Sequence, residues 1–376
     1  MFNRTILKHI LLPRVLFVFP IAIFALAIFA LMTLASGQTP SVVKQPVLTP
    51  QTSNTTQGLI AVSPVNEKVV WASGRGGTFL RTVDGGTTWT AGVVPGAEAE
   101  QFRDVQGVNE NIAYLQSIGD IPSDFKIYKT TDGGANWKLQ FQNQNPSAFY
   151  DCFAFWTPTR GISHSDSVSG VFPDLRTTDG KTWQSISANM PPALSGEASF
   201  AASGTCVATQ GEQNAWIATG GSTIARILAT RDRGNTWNAY STPLVSSPSA
   251  GAFTVDFRDS QHGIVGGGDL DPTDPTNART AVSSDGGQTW TLTNPPPVTG
   301  AIFGLAYVRN NDGDQGGING HAVVVTANTG GAAWTSDEGK TWFTLPSVTG
   351  YWAVAFATPK AGWLVGTGGT ILKVSF

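Results

Sequence analysis

Short apolar runs that alternate with polar residues dominate the chain from residue 58 to its end. In residues 102–142, for example, the runs FRDVQGV, NIAYLQSIG, FKIYKTT and WKLQFQ are separated by Gly, Asn, Asp and Pro. Alternation with a period of two between turn-forming residues predicts β-strands. Each group of strands spans roughly 50 residues, which predicts a four-stranded antiparallel unit that repeats along the chain.

One turn sequence returns six times, as in RTVDGGTTWT (81–90) and VSSDGGQTWT (282–291). We call these six segments the aspartate turns. Their aspartates and tryptophans are Asp84 and Trp89, Asp132 and Trp137, Asp179 and Trp183, Asp232 and Trp237, Asp285 and Trp290, and Asp337 and Trp342. We expect each Asp to accept backbone N–H groups, the glycines to adopt positive φ and the Trp to pack inward. Each turn is then a clasp between a third and a fourth strand. The shorter interval from Asp179 to Trp183 predicts a local distortion of that blade.

Repeated four-stranded units predict an all-β fold, a seven-bladed β-propeller over residues 58–376. Six full units begin near Leu59, Phe102, Phe149, Thr205, Phe253 and Phe303. A seventh, YWAVAFATPKAGWLVGTGGTILKVSF, stops after its third strand. Because an open sheet edge favours aggregation, we expect residues near 42–50 to supply the missing outer strand and close the ring.

The N-terminal region, residues 1–37, has the composition of a signal peptide or a transmembrane anchor. Arg4, Lys8 and Arg14 precede an uncharged apolar run, residues 15–35, which predicts a helix. A cleaved signal and a retained anchor both remain open, because the run is long and small residues follow it. Either case places the body outside the cytoplasm, periplasmic or secreted. Residues 38–57 predict a linker that includes the ring-closing strand.

Composition excludes several classes of function. The 23 Lys and Arg residues nearly balance 26 Asp and Glu residues, and no basic run predicts binding to nucleic acid. Four His and two Cys are too few for a zinc or haem site, so we expect no metal and no cofactor. The stretches 268–275 and 310–317 contain ligands suited to calcium, but solvated turns explain them as well.

The face on which the inner strands begin is the expected binding face, or mouth. Three long loops, residues 163–175, 185–204 and 267–279, are expected there. Predicted ligand-binding residues at the mouth are Arg103, Asp104, Tyr150, Asp151, His164, Arg226 and Arg258. The carboxylates Asp166, Glu197 and Asp269 are candidates for acid–base catalysis, provided that two lie about 5–10 Å apart. The alternative is that these residues cap loops and line a wet channel.

Cys152 and Cys206 occupy the same row of adjacent inner strands when the repeats are aligned. Side chains in one row point in the same rotational sense, which predicts two buried free thiols. Export from the cytoplasm would favour a disulfide instead.

The aspartate turns resemble the Asp-box, or BNR, repeat, S/T-x-D-x-G-x-T-W. It is found in sialidases, sortilin-type receptors, xyloglucan hydrolases and photosystem II stability/assembly factors. Three further stretches resemble a group of bacterial exported proteins described as photosystem II assembly-factor-like: GISHSDSVSGVF, GEASFAASGTCVAT and FRDSQHGIVGGGD.

The resemblance implies a monomeric binding or assembly module without catalysis. It would hold a protein client or a glycan at the mouth and contact a membrane only through the N-terminal segment. Arg103, Arg226 and Arg258 could contribute to a basic patch for the client. The alternative that it implies is a glycan-acting hydrolase, although the arginine triad and R-I-P stretch of sialidases are not evident.

Overall fold

The computed structural model describes residues 45–119, 121–271, 278–309 and 320–376. Over these ranges the chain forms seven four-stranded antiparallel sheets and three single-turn 3-10 helices, Pro122–Asp124, Ser187–Asn189 and Thr367–Gly369. The predicted all-β, seven-bladed propeller is thereby confirmed. The predicted signal or anchor segment lies outside the described residues. Within them, no helix has the length and apolar character needed to cross a membrane.

Each blade runs from an inner strand at the central channel to an outer strand at the rim. The first described strand is β1 (Val47–Gln51). Blade 1 comprises β2 (Leu59–Pro64), β3 (Val70–Gly74), β4 (Thr78–Thr82) and β5 (Thr90–Val93). Blade 2 comprises β6 (Gln101–Gly107), β7 (Ala113–Ile118), β8 (Lys126–Thr130) and β9 (Lys138–Gln142). Blade 3 comprises β10 (Tyr150–Thr157), β11 (Arg160–Ser165), β12 (Leu175–Thr177) and β13 (Gln184–Ser185).

The remaining blades have the same order. Blade 4 comprises β14 (Val207–Gln210), β15 (Asn214–Thr219), β16 (Arg226–Thr230) and β17 (Asn238–Ser241). Blade 5 comprises β18 (Ala250–Phe257), β19 (Gly263–Asp269), β20 (Thr280–Ser283) and β21 (Thr291–Leu292). Blade 6 comprises β22 (Gly304–Tyr307), β23 (Val323–Thr326), β24 (Ala332–Thr335) and β25 (Trp342–Thr344). Blade 7 comprises β26 (Tyr351–Thr358), β27 (Ala361–Gly366) and β28 (Ile371–Ser375), with β1 as its outer strand.

The ring is closed by pairing the two ends of the described chain. Strand β1 runs antiparallel to β28, with Val47 opposite Ser375 and Gln51 opposite Ile371. This strand overlaps the stretch 42–50 that the sequence indicated and ends one residue beyond it. Because β1 covers the outer edge of β28, the last three strands of the chain are completed as a four-stranded sheet.

The hydrophobic core lies between the blades. Four tryptophans are almost fully buried: Trp71, Trp216 and Trp363 on the second strands of their blades, and Trp334 on the third strand of blade 6. Their indole N–H groups are satisfied by neighbouring segments, as when Trp71 donates to the carbonyl of Asn109 in blade 2 at 2.9 Å. Trp363 donates to Gln51 Oε1 of the closing strand at 3.1 Å. Each indole thus adds apolar burial and a directional hydrogen bond between segments.

The aspartate turns have the expected clasp geometry. In blade 1, Asp84 Oδ1 accepts the backbone N–H of Thr88 at 2.9 Å, and Asp84 Oδ2 accepts its hydroxyl at 2.6 Å. The hydroxyl of Thr82 accepts the N–H of Gly86 at 2.9 Å, and φ of Gly86 is 85°. In the shorter turn of blade 3, the glycine that donates to the threonine hydroxyl lies three residues further along instead of four. The predicted distortion is therefore confirmed.

Cys152 and Cys206 form a disulfide, with their Cα atoms 5.9 Å apart, so the prediction of free thiols was wrong. The row argument assumed strict alternation along the inner strands. In β10 the register shifts between Tyr150 and Cys152, which leaves Asp151 as an extra, bulged residue. Cys206 lies just before β14, outside the regular strand. Because a bulge adds one residue, the side chains on one side of it point to the opposite face of the sheet from the one that strict alternation predicts. The sulfurs of Cys152 and Cys206 can therefore come within bonding distance.

Replacing both cysteines by serine is expected to lower the free energy of unfolding by up to about 4 kcal/mol. The bond spans 54 residues in sequence, and closing a loop of that size restricts the unfolded chain by roughly this amount. Urea unfolding of the wild-type chain and the double variant, both with and without reductant, measures the difference. If reductant destabilised the double variant as much as it does the wild type, the disulfide could not be the cause.

Candidate ligand-binding site

The two faces of the ring differ in the connections that they carry. The inner strands begin on the mouth face, which also carries the connections between second and third strands. The opposite face carries the aspartate turns, and we call it the turn face. The long loops at 163–175, 185–204 and 267–279 join strands at the mouth face, as the strand order requires.

A segment of the longest loop enters the central channel. Residues 199–205, which we call the plug segment, precede β14 and line two separate cavities. Ser199, Phe200, Ala201 and Ala202 border the cavity at the mouth, whereas Ser203, Gly204 and Thr205 border a cavity deeper in the channel. The plug segment therefore divides the channel into a mouth pocket and a lower channel.

Hydrogen bonds from four blades fix the plug segment. Asp166 Oδ1 of blade 3 accepts the N–H of Ser199 at 2.8 Å. Arg103 Nη1 of blade 2 donates to the carbonyl of Ala201 at 2.8 Å. The hydroxyl of Ser203 donates to the carbonyl of Phe303, which leads into blade 6, at 2.6 Å. The N–H of Val255 in blade 5 donates to the carbonyl of Thr205 at 3.0 Å.

Glycine is required at position 204. Its φ is 72°, and a Cβ there would lie 2.6 Å from Asp104 Oδ1 and 3.0 Å from the carbonyl oxygen of Arg103. A side chain would push the plug segment off the wall of blade 2.

The mouth pocket has a volume of about 410 Å³ and is mainly apolar. Its walls are Arg103, Phe149, Asp151, Asp166, Ser199, Phe200, Ala201, Ala202, Phe253, Leu270, Phe303 and Trp352. Four of these residues, Arg103, Asp151, Phe253 and Trp352, are the extra residues at register shifts in inner strands. Bulges redirect side chains, and here they direct four of them into one pocket.

Four aromatic rings form a continuous arc across the pocket. Phe200 of the plug segment stacks on Phe253, with centroids 3.9 Å apart. Phe253 is 5.9 Å from Phe303, which in turn is 5.2 Å from Trp352. Phe253 is buried, whereas the other three rings are half-buried. The arc therefore presents apolar surface to a ligand while its own packing holds it rigid.

A pair of buried carboxyl groups forms the polar side of the pocket. Burial raises the pKa of Asp151 well above its usual value, and the adjacent Asp166 raises it further. Burial also raises the pKa of Asp166. The carboxyl of Asp166 is adjacent to that of Asp151, and a hydrogen bond between two carboxyls requires a proton on one of them. Asp166 also holds the plug segment through the backbone N–H of Ser199.

Arg103 is the basic group of the pocket. Burial lowers its pKa to about 10, and nearby Arg75 acts in the same direction. Its Nη1 donates to the carbonyl of Ala201 and its Nη2 to Gln101 Oε1 at 3.2 Å. At neutral pH the guanidinium remains charged, and two of its nitrogens, Nη1 and Nη2, already donate hydrogen bonds within the protein.

Glu197 and Arg226 pair with each other at the base of the long loop. Arg226 Nε donates to Glu197 Oε1 at 2.8 Å, and a second bond joins Nη2 to Oε2. Glu197 also accepts the hydroxyl of Thr219 at 2.7 Å and the N–H of Leu194 at 2.8 Å. Both Glu197 oxygens are thereby occupied, and Glu197 is not among the residues that line the mouth pocket.

His164 and Tyr150 lie inside blade 3. His164 Nδ1 is 2.9 Å from Asp174 Oδ2, and both side chains are fully buried. The hydroxyl of Tyr150 donates to the carbonyl of Pro173 at 2.9 Å. Both residues therefore fix the loop that ends at Asp174, and neither is among the residues lining the mouth pocket.

The last three predicted site residues lie apart. Asp104 is in the lower channel and accepts the N–H groups of Val105 and Phe153. Asp269, at the end of β19, accepts the hydroxyl of Ser249 at 2.8 Å. Arg258 follows β18 on the turn face, where its Nε donates to Glu338 Oε1 at 2.8 Å. The sequence placed Arg258 at the mouth, but an inner strand begins at the mouth and Arg258 follows the end of one.

Arg103, Arg226 and Arg258 accordingly do not form a basic patch. Within the described ranges, no group of three or more His, Cys, Asp or Glu is placed to hold a metal ion. Of the two calcium candidates, residues 272–275 of the first and the whole of 310–317 lie outside those ranges.

Sequence reasoning missed the aromatic arc. Phe253 and Phe303 were used only as blade starts, and Phe200 and Trp352 were not singled out. A signal existed, because bulky aromatics recur near the starts of inner strands in blades 5, 6 and 7. Phe200 could not be recognised in this way, since it reaches the arc from a loop.

Solved structures that resemble this chain share its propeller fold, whereas comparisons of sequence find no match. No known family matches the sequence. No curated protein matches it either. YCF48 bound to a D1 peptide is 17% identical, with a TM-score of 0.60 over 89% of this chain and 100% of that chain. YCF48 from Cyanidioschyzon merolae is 16% identical, with a TM-score of 0.56 over 87% of this chain and 98% of that chain. The WD40 propeller domain of Doa1 is 12% identical, with a TM-score of 0.53 over 88% of this chain and 96% of that chain. At these identities the likeness shows a shared propeller fold.

The carboxyl pair predicts a loss of stability as pH rises. Because the pKa values of Asp151 and Asp166 are raised by folding, their contribution is present at about pH 4 and is lost as pH rises through the folded-state values. Asp166→Asn keeps the shape without the charge, so the variant should lose less stability than the wild type on going from pH 5 to pH 9. Urea unfolding across this range measures the slope.

Asp84→Asn is the matched control for this experiment. Hydrogen bonds from Thr88 lower the pKa of Asp84 to about 2, so its contribution is lost only as pH falls below about 4. The control should alter the acid side of the profile and leave the alkaline side unchanged. Equal alkaline slopes for the wild type and Asp166→Asn would contradict the role of the carboxyl pair.

Proposed function

We propose that this chain is an extracytoplasmic binding or assembly module, without catalysis of its own, that holds a segment of a protein client at the mouth pocket. The observation that carries the proposal is the aromatic arc of Phe200, Phe253, Phe303 and Trp352 in a pocket closed below by the plug segment. A pocket of about 410 Å³ accommodates one or two side chains of a peptide.

The polar groups of the pocket support binding in preference to catalysis. Asp166 and Arg103 are hydrogen-bonded to the backbone of the plug segment, and Asp151 lies beside Asp166. A general acid or nucleophile must approach the reacting bond, whereas Asp151 Oδ2 is buried away from the pocket surface. These groups therefore act by fixing the floor of the pocket.

A structural neighbour supports a peptide as the ligand. YCF48, which has the same fold, has been solved with a D1 peptide bound. Because its identity to this chain is low, the D1 peptide is not inferred to be the client of this chain. An exported assembly factor of the photosystem II type remains our working comparison, with the client of this chain to be identified by experiment. The buried disulfide supports the extracytoplasmic setting, because such bonds persist in oxidising compartments.

A glycan-acting hydrolase is the second candidate, and the raised pKa of Asp166 in a pocket favours it. Its geometry is unfavourable, since the two carboxyls of a glycosidase stand about 5–10 Å apart and flank the bond, whereas Asp166 and Asp151 are adjacent and act directly on each other's pKa. A screen of glycosidase substrates with the wild type, Asp166→Asn and Glu197→Ala tests it. Turnover that disappears in Asp166→Asn would establish the hydrolase and overturn the binding-only proposal.

The binding proposal predicts that Phe303→Ala weakens peptide binding by about tenfold or more, because truncating an aromatic anchor of a pocket removes a binding hot spot. A library of displayed random peptides is selected on the full-length protein, and the affinity of enriched peptides is measured for each variant. Phe343→Ala, on the outer strand of the same blade, also truncates a half-buried phenylalanine and is the matched control. Peptides that bind both variants equally would place the site elsewhere.

A further inference from the structure

Charge is distributed unequally between the two faces of the ring. Several mouth-face connections contain no charged residue: 52–58, 143–149, 220–225, 242–249, 293–303, 327–331, 345–350 and 367–370. Across the described mouth-face connections, the exposed charged side chains are Arg75, Glu98 and Asp271.

The turn face is densely charged by comparison. The exposed charged side chains of its described connections are Glu67, Lys68, Asp84, Glu110, Asp132, Asp179, Lys181, Glu212, Arg231, Lys340 and Lys360. In a chain with only 13% charged residues, loops that expose so few charges around one pocket mark that face as different from the densely charged turn face.

Exposed aliphatic side chains lie at corresponding places on the mouth face. Ile121, Val171, Ile224 and Leu270 are 57%, 47%, 43% and 50% exposed. Each lies in the connection between the second and third strands, in blades 2, 3, 4 and 5 respectively. We call these four residues the aliphatic rim. Leu270 belongs also to the wall of the mouth pocket, so the rim adjoins the pocket at blade 5.

We propose that the mouth face docks an uncharged, apolar segment of a protein client, with one large side chain in the mouth pocket and its flanking apolar residues on the aliphatic rim. This inference rests on the proposed function and specifies the chemistry of the client. A strongly acidic or basic segment would find few complementary charges, and it would be desolvated against apolar side chains.

A protein segment fits this surface better than a lipid bilayer does. The arc lines a pocket of defined shape, with rings held by mutual contacts of 3.9 to 5.9 Å. Such a pocket selects a side chain of particular size. Peripheral membrane binding commonly adds cationic side chains that attract anionic headgroups, and the exposed charges of the mouth-face connections are one basic and two acidic.

The test compares three synthetic peptides of equal length with the full-length protein. One is built from Leu, Phe, Ser and Asn, and in the other two Glu or Lys replaces Ser. The rim variant is Ile121→Ser/Val171→Ser/Ile224→Ser, which leaves the pocket lining intact. The matched control is Val83→Ser/Leu139→Ser/Leu292→Ser, three aliphatics of similar exposure in an aspartate turn and on outer strands.

We expect the uncharged peptide to bind most tightly, with an affinity that changes less than about twofold between about 50 and 500 mM salt. The rim variant should weaken its binding about tenfold or more, and the control variant should leave it unchanged. If a charged peptide bound more tightly than the uncharged one, and if Phe303→Ala still weakened that binding, this inference would be overturned and the proposed function would stand. Preference for neutral phosphatidylcholine vesicles would also overturn it. If no peptide bound, from these three or from the displayed library, both proposals would fail.

Discussion

A one-residue bulge near the start of an inner strand is the constraint on which the mouth of this propeller depends. It occurs in β2, β6, β10, β18 and β26, each time near the mouth face. A regular strand would direct alternate side chains toward its two neighbouring blades. The bulge adds one residue whose side chain can turn toward the channel instead, and this is how Arg103, Asp151, Phe253 and Trp352 come to line one pocket. The bulge at Asp151 also brings Cys152 within reach of Cys206.

The plug segment converts a channel into a pocket, and it uses polar groups that would otherwise suggest chemistry. A segment inside a channel exposes backbone groups that need partners. Asp166 and Arg103 supply two of these partners, and the disulfide at Cys206 fixes the end of the segment covalently. Two carboxyls in an apolar setting favour sharing a proton over carrying two charges, which lets them serve as hydrogen-bonding partners at low electrostatic cost.

The sequence was sufficient for the repeating parts of this structure, because those parts are local. Alternation with a period of two identifies the strands, and Asp84 and its five counterparts mark the turns between third and fourth strands. The incomplete last unit predicted a closing strand, now placed at Val47–Gln51. The site was less accessible, because it depends on contacts between residues far apart in the chain. Asp166 was singled out, but its partner Asp151 was assigned only to the mouth, and Phe200 was not recognised at all.

The sparsely charged loops of the mouth and the charged turn face are compatible with a division of tasks within one ring. Charges on the turn face contact solvent and engage one another, as Arg258 does with Glu338. Removing charge from the mouth gives up long-range attraction of a client, but it also removes the cost of desolvating ions when the mouth is covered. A surface of this kind favours contacts of short range, in which affinity depends on the fit of apolar side chains. The rigid arc of Phe200, Phe253, Phe303 and Trp352 meets that requirement, since little side-chain entropy remains to be lost when a client binds.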